Sequence, residues 1–463
     1  MRTTLLPYQE DAVKWCIKHE NECCILAYDM GLGKTVIACA VLAQKPMKTM
    51  ILLPNSLLHQ WEAELTRHTN GLKVFIYHGS QRRRMRTEYA EADVILTTPS
   101  VLANDIRDGV YMHRTIQRWV IDEAHKLRNA NGKIYKELHT FAPLIRNKIF
   151  LTGTPICNRP DDLISIICLS NLSHYNDHAN WKYKSFKAKI EMLDSIMPNI
   201  LSRKTKETAI TLPKLYTHEF TLNIQSDEQK NTYNSFVYDQ ELLRRILRMR
   251  QSLNNHKGLL ENQQPSKDIA EKLRIVQEIL GKIPKTDKVI IFSYFTSLLK
   301  YMFNTMQHSS KMCLYHGGLN MEEKSNVLYT FQTDPDTQVI LINLKAGACG
   351  LNLTEANHVI IIEPYWNDSE YQQAINRAYR IGQTKEVHVY NISVKNSIEL
   401  WLKNMQELKC KLSKMLVDSN QTINIHDIEG DAMKLRRLFR CVGHVELIEK
   451  DEDLEALLEQ DSN

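Results

Sequence analysis

Asp29-Met-Gly-Leu-Gly-Lys-Thr35 follows, one residue on, a short apolar run, Cys23-Cys-Ile-Leu-Ala27. A glycine-containing turn from strand to helix leaves backbone N–H groups pointing at phosphate, and the helix N-terminus adds partial positive charge. Lys34 is then placed to reach the β- and γ-phosphates of a nucleotide, and the Thr35 hydroxyl to sit on Mg²⁺. Tyr28 stands where the general phosphate-loop pattern has its first glycine. A tight turn without a ligand is the competing reading. Downstream, Trp119-Val-Ile-Asp-Glu-Ala-His125 reads as a strand ending in two adjacent carboxylates. A turn at that end aims both at the loop: Asp122 toward Mg²⁺, Glu123 toward the attacking water. An acidic turn capping the next helix is the alternative.

Working outward, apolar runs recur at 23–28, 49–54, 73–77, 92–97, 118–122 and 147–151, separated by helical patterns. Such alternation predicts a parallel sheet, whose buried strands read as continuous apolar runs. A second series follows: Val289-Ile-Ile-Phe292, Met312-Cys-Leu-Tyr315, Val339-Ile-Leu-Ile342, Val359-Ile-Ile-Ile362 and Val387-His-Val-Tyr390. Two α/β lobes are therefore expected: lobe one over 1–200 with a helical protrusion at 170–200, and lobe two over 276–397. Residues 201–275 read as a polar linker and helical insertion, with 254–267 a loop. A periodic helix is expected at 398–417, followed by an acidic tail to 463.

The chain has 463 residues, 43% hydrophobic and 24% charged, enough apolar side chains for real cores. No run of eighteen apolar residues predicts a membrane span, and the first residues read as entering the fold rather than as a signal peptide. Ten scattered cysteines without a C-x-x-C pair argue against zinc and against a disulfide framework. Net charge is +5; the segment 446–463 holds eight acids and one lysine, so the remainder carries +12. A basic body suits a polyanionic partner, although an ordinary soluble surface also accounts for it.

In the second lobe, Gln373-Ala-Ile-Asn-Arg-Ala-Tyr-Arg-Ile-Gly-Gln383 puts Arg377 and Arg380 three apart, on one face of a helix. Arginines so spaced suit transition-state charge in phosphoryl transfer; a solvated basic face is the alternative.

The order of these phrases resembles the Swi/Snf-type ATPases of helicase superfamily 2, over about residues 5–417. Leu6-Pro-Tyr-Gln9 is similar to the family's Q motif, Asp29–Thr35 to motif I, and the stretch from Ile51 to Trp61 to motif Ia. Thr97-Thr-Pro-Ser100 is similar to motif Ib, the stretch from Asp122 to Asn129 to motif II in its DEAH form, and the stretch from Leu151 to Arg159 to motif III. Ile291-Phe-Ser293, the stretch from Lys345 to Thr354, and Gln373–Gln383 resemble motifs IV, V and VI. Among compact members, the chain is most similar to the global transactivators of baculoviruses. Departures are Tyr28, Tyr379, Trp366-Asn-Asp368 and Ser202-Arg-Lys204.

The resemblance implies two tandem RecA-like lobes with parallel sheets, a helical insertion and a C-terminal brace helix. It implies ATP and Mg²⁺, the latter on Thr35 and Asp122. Nucleotide contacts would come from Gln9, Asp29, Met30, Gly31, Leu32, Gly33, Lys34, Thr35, Gly350 and Gln373. Lys34, Asp122, Glu123, Arg377 and Arg380 would carry catalysis. Duplex DNA would be held without sequence preference by Thr97, Thr98, Thr152, Thr154, Ser293, Lys345 and Asn352, with Trp366 either on a sugar or base or packed in the core. From the residues alone, the arginine clusters at 82–86 and 244–250 read as further phosphate contacts or, equally, as solvated faces. A monomer acting in the nucleus (the host nucleus if the protein is viral) or otherwise in the cytoplasm, without a membrane partner and with chromatin or transcription proteins, completes the expectation. A strand-separating helicase, an RNA-directed ATPase and a non-catalytic scaffold stand as alternatives.

Overall fold

The computed structural model describes residues 1–156, 160–172, 175, 177–224, 226–237, 242–254, 271–306, 310–347, 350–364 and 368–417. The chain forms two compact units, the first built on Met1–Thr211 and the second on Leu212–Lys411.

In the first unit, seven strands pair in parallel: β1 (Cys24–Tyr28), β2 (Thr49–Leu52), β3 (Val74–Ile76), β4 (Val94–Thr97), β5 (Arg118–Ile121), β6 (Asn147–Leu151) and β7 (Leu201–Lys204). Their spatial order is β3-β4-β2-β5-β6-β1-β7. The central strands are covered on both faces, so every residue of β1, β2, β4, β5 and β6 is buried. Helix α1 (Pro7–His19) starts at a proline in its first turn, where a missing N–H costs nothing. The Gln9 side chain accepts the Leu6 N–H at 3.0 Å and closes that end. Helices α2 (Lys34–Gln44) and α3 (Leu58–His68) pack their apolar faces with α1 on one side of the sheet, around Val13, Ile37, Val41, Trp61 and Leu65.

At the amino ends of these strands lies a buried ion pair. Arg118, first residue of β5, donates from Nε to Glu20 Oε2 at 2.7 Å and from Nη2 to Oε1 at 3.1 Å. Both side chains are 0% exposed. Lys45 Nζ approaches Glu20 Oε1 at 2.7 Å from the rim.

The second unit holds β8 (Leu215–Leu222), β9 (Lys288–Ser293), β10 (Met312–Tyr315), β11 (Val339–Asn343), β12 (Ala356–Ile361) and β13 (Val387–Val394), again all parallel. The order is β10-β11-β9-β12-β13-β8. Odd positions of β9, Val289 and Ile291, feed one apolar core; even positions, Ile290 and Phe292, feed the other. The helix Ile398–Val417 falls where the apolar period predicts it. Glu399 anchors its start: it accepts Lys272 Nζ at 2.5 Å and the Val394 N–H at 3.0 Å, all buried. Lys272 also donates to Asn254, which donates in turn to the buried Glu363.

The linker expected at 201–275 needs correction. Leu201–Lys204 pairs with β1 and closes one edge of the first sheet; Leu215–Leu222 pairs with β13 and forms an edge of the second. Edge strands bury one face at most, so neither reads as an apolar run. In β8 exposed Leu215, Thr217, Glu219 and Thr221 alternate with half-buried Tyr216, His218, Phe220 and Leu222. That period of two was legible and was outweighed by polar composition. Residues 255–270, and with them most of the loop expected at 254–267, lie outside the described residues, as do Trp366 and the acidic tail. Among the described residues, no helix is long and apolar enough to cross a membrane.

Candidate functional site

The carboxyl ends of β1, β2, β5 and β6 converge, the usual ligand position in an open parallel sheet. The loop after β1 turns through Gly31 and Gly33 with φ of 88° and 76°. At Gly33 a side chain would be strained, and its Cβ would lie 2.6 Å from Gln9 Nε2. Gln9 Nε2 and the Tyr8 hydroxyl donate to Leu32 O at 3.3 and 3.0 Å. In this structure, then, Gln9 braces the loop that it was expected to help with a base.

Lys34 opens α2, and its ammonium donates back to the carbonyls of Tyr28 at 2.6 Å and Asp29 at 3.2 Å. Burial lowers its pKa; the nearby charges of Glu123, Asp122 and Asp29 oppose that shift. Asp29 is clasped by Arg203 Nη2 at 2.8 Å and by the Lys206 N–H at 3.1 Å. Arg203 Nη1 also donates to Ala27 O at 2.8 Å. Thus β7, absent from the sequence reading, holds the phosphate loop through one guanidinium. Met30 lies against Gly153, where an added Cβ would stand 3.0 Å from Met30 Cγ. Thr35 is half-buried in the first turn of α2.

Asp122 follows β5, and its N–H donates to Leu52 O at 2.9 Å. One carboxylate oxygen accepts the Glu123 N–H at 2.9 Å, the other the Trp61 indole N–H at 2.8 Å. Glu123 is left-handed, φ 49° and ψ 47°, a conformation costing a non-glycine residue about 1–3 kcal/mol. Burial, then the Glu123 charge, pushes the Asp122 carboxyl up to about 6. A buried acid pair that disfavours its own ionisation is stabilised by a cation, so the donor set fits Mg²⁺. His125 is buried beside Glu123 at 3.3 Å and Thr152 Oγ1 at 3.2 Å. Burial, reinforced by Lys126, Arg128 and Lys34, pushes it down to about 3.

Trp61 is the residue that sequence reasoning quoted but gave no role. Nothing in helical spacing says that an indole will reach Asp122. Its N–H favours the ionised carboxylate, a bond worth about 1.5–3 kcal/mol. Trp61→Phe is expected to lower Mg²⁺-dependent ATP turnover about tenfold and to move the acid limb of its pH profile upward. Superimposable profiles would rule out this role.

Opposite pH slopes follow from the two shifted groups. His125 stays neutral when folded and takes a proton on unfolding below 6.5. Its contribution is therefore lost as pH falls from 6.5 toward 3, at up to about 1.4 kcal/mol per unit. Asp122, raised from 3.8 to about 6, contributes stability below 3.8 that is lost as pH rises through 6. Between 4 and 6 the two offset one another. Asp122→Asn should expose the histidine slope, losing about 1 kcal/mol more than wild type between pH 6.5 and 5 in urea titrations. Adding His125→Asn should abolish the difference. Equal slopes for Asp122→Asn and wild type would refute it.

In the second unit the expected arginine helix is corrected. The helix Asp368–Ile375 stops before both residues. The Arg377 carbonyl accepts the Leu353 N–H at 3.1 Å, and the Ala378 carbonyl accepts Gln383 Nε2 at 3.1 Å. Those acceptors are thereby drawn out of the helical ladder, and Gly382 at φ 102° completes the turn. Arg377 remains buried, donating to Leu351 O at 3.3 Å; Arg380 is half-buried. Gln373 is buried on the same helix, and Gly350 has φ 59°.

Several proposed phosphate grips are internal. The Thr97 hydroxyl donates to Tyr77 O, and Thr98 caps the helix that starts at Pro99. Thr152 Oγ1 accepts the Thr154 N–H, and Ser293 donates to Glu363 at 2.7 Å. Thr97, Thr152 and Ser293 are 0% exposed, so their hydroxyls cannot grip phosphate as placed. Strand ends favour such hydroxyls because they satisfy loop N–H groups, a use the motif does not reveal. Thr154 is half-buried and Asn352 exposed; Lys345 lies on the short helix Leu344–Gly347. Arg82 and Arg83 bind the buried Asp105, leaving Arg84 and Arg86 exposed. Arg250 is buried against Tyr294, whereas Arg244 is exposed and Arg245 and Arg248 half-buried.

Comparison with known proteins agrees with the motifs. The profile of the SNF2-related domain matches residues 8–275, and that of the helicase conserved C-terminal domain matches 271–382. A probable global transactivator of Orgyia pseudotsugata multicapsid polyhedrosis virus is 27% identical, over 92% of this chain and 93% of its own. The ATP-dependent DNA helicase DDM1 of Arabidopsis thaliana is 27% identical, over 90% of this chain and 62% of its own. The chain spans 41% to 62% of the length of several such longer relatives. A solved Sulfolobus solfataricus SWI2/SNF2 ATPase core in complex with dsDNA aligns over 94% of this chain and 95% of its own, at 27% identity and a TM-score of 0.44. With more than half its length matched by the first profile, the chain belongs to the SNF2-related family of helicase-like ATPases.

Proposed function

We propose that this protein is a DNA-dependent ATPase that tracks along duplex DNA and remodels DNA–protein complexes in chromatin or transcription. One observation carries the reading. Lys34 sits at the head of α2 within the electrostatic reach of Asp122 and Glu123, at the carboxyl ends of a parallel sheet. Family membership and the DNA helicase relative support it.

In this proposal Lys34 and the loop N–H groups of 31–35 hold the nucleotide phosphates. Thr35 and Asp122 hold Mg²⁺, which when bound neutralises phosphate charge. Glu123 takes the proton of the attacking water, and Trp61 keeps Asp122 ionised. Arg377 and Arg380 of the second unit add positive charge to the transition state. The exposed Asn352, Arg84, Arg86 and Arg244 contact the DNA backbone, which gives affinity without sequence preference.

The test is ATP turnover of the full chain with no nucleic acid, single-stranded DNA, duplex DNA and RNA in parallel. Duplex DNA should stimulate most. Glu123→Gln should keep nucleotide affinity and lose turnover by about 10²–10⁴-fold. Stimulation by RNA alone, or wild-type turnover by Glu123→Gln, would overturn the proposal.

A further inference from the structure

Arg203 stands on β7 opposite Ala27 of β1, and its guanidinium reaches three acceptors. Nη1 donates to Ala27 O at 2.8 Å and to Gly153 O at 3.4 Å, while Nη2 meets Asp29 Oδ1 at 2.8 Å. The other Asp29 carboxylate oxygen accepts the Lys206 N–H at 3.1 Å, and the Asp29 N–H donates to Lys204 O at 3.0 Å. The Asp29 carboxylate is thereby committed to β7 and to the residues that follow it.

Lys34 meets the same loop residue at its carbonyl. Its ammonium donates to Tyr28 O at 2.6 Å and Asp29 O at 3.2 Å, both neutral acceptors. It also lies near Gly153, where an added Cβ would stand 3.7 Å from Nζ. Burial lowers the Lys34 pKa; of the nearby charges, Asp29 opposes that shift and Arg203 adds to it. A hydrogen bond to an ionised partner is roughly twice as strong as one between neutral groups. An ammonium resting on carbonyls is therefore readily drawn to a polyphosphate. One captured by a neighbouring carboxylate has to break a stronger bond first.

Stability does not account for the pair. Arg203 and Asp29 are 25% and 27% exposed, and ion pairs so open to water add little to a fold. Strand β7 has other holds: four of its residues pair with β1, and the Ser202 hydroxyl donates to the Tyr28 hydroxyl at 3.4 Å.

We propose that Arg203 is a positioning residue for nucleotide binding: by engaging the Asp29 carboxylate it leaves the Lys34 ammonium on neutral acceptors, available to phosphate. The inference rests on the reading of this loop as the nucleotide site. Without the guanidinium, Asp29 keeps its charge and turns it on Lys34, the cation that already feels it.

The probe is mant-ADP with Mg²⁺, titrated by fluorescence into the full chain. Arg203→Ala should bind it about tenfold more weakly than wild type, with the thermal midpoint nearly unchanged. Arg203→Gln, which keeps N–H donors but not the charge, should weaken it as well. Adding Asp29→Asn to Arg203→Ala should recover most of the loss, and the gain from Asp29→Asn should be several-fold larger in that background than in wild type. A residue that merely shaped the loop would give a double variant no tighter than Arg203→Ala. That result, equal gains in both backgrounds, or wild-type affinity in Arg203→Ala or Arg203→Gln would overturn this inference alone. A wild-type chain that does not bind the probe would overturn the nucleotide reading beneath it.

Discussion

Lys34→Ala is expected to remove ATP turnover, by about 10³-fold or more, equivalent to roughly 4 kcal/mol of transition-state stabilisation. The ammonium is the positive charge that the phosphate loop brings to the end of β1. It is held in place by two loop carbonyls at 2.6 and 3.2 Å. Without it, a polyphosphate would meet Asp122 and Glu123 with less charge to offset the repulsion. Burial already pushes Asp122 toward its neutral form, and losing the neighbouring cation pushes it further. Mg²⁺ should therefore bind more weakly in the variant as well. The core around α2 does not use the lysine, so the thermal midpoint should hold. A folded Lys34→Ala protein with turnover within threefold of wild type would end the assignment of this loop.

A comparably large effect on stability is expected far from the nucleotide loop. Glu20→Ala strands the Arg118 guanidinium, 0% exposed, with the Lys45 amine beside it. Breaking a buried pair on one side costs about 3–5 kcal/mol. For a unit of this size that lowers the melting midpoint by roughly 10 °C. Replacing both partners, Glu20→Leu with Arg118→Met, should recover most of the loss, since neither charge is then left buried alone. Calorimetry on the two single variants and the double variant closes the cycle. Additive losses would mean that the pair is not coupled.

Central strands and the phosphate loop were legible because burial on both faces imposes continuous apolar runs, and because glycines are needed where φ is positive. That Asp122 and Glu123 stand at the end of β5 was legible for a related reason: the buried apolar run stops where the two acids begin. Arg203 and Trp61 were not. Each acts across tens of residues through a single hydrogen bond or ion pair, and no local period encodes that. Thr97, Thr152 and Ser293 show the converse: each stands at a strand end, where a motif phrase points to it, while its hydroxyl is taken by an internal partner. Arg377 and Arg380 kept their spacing but lost their helix, because Leu353 and Gln383 compete for its last carbonyls.

Strand β8 also sets a schedule for making the protein. It leaves the ribosome about 170 residues ahead of β13, the strand it pairs with at Leu215↔Val387. At 5–20 residues per second that is a delay of roughly ten to thirty seconds. Throughout it, β8 is an unpaired amphipathic strand, the kind of segment that seeds association with other chains. Its outward positions carry Thr217, Glu219 and Thr221. Glu219 thus serves as a gatekeeper while the strand waits. Glu219→Val should leave the finished sheet paired and raise the fraction of newly made chains lost to aggregation.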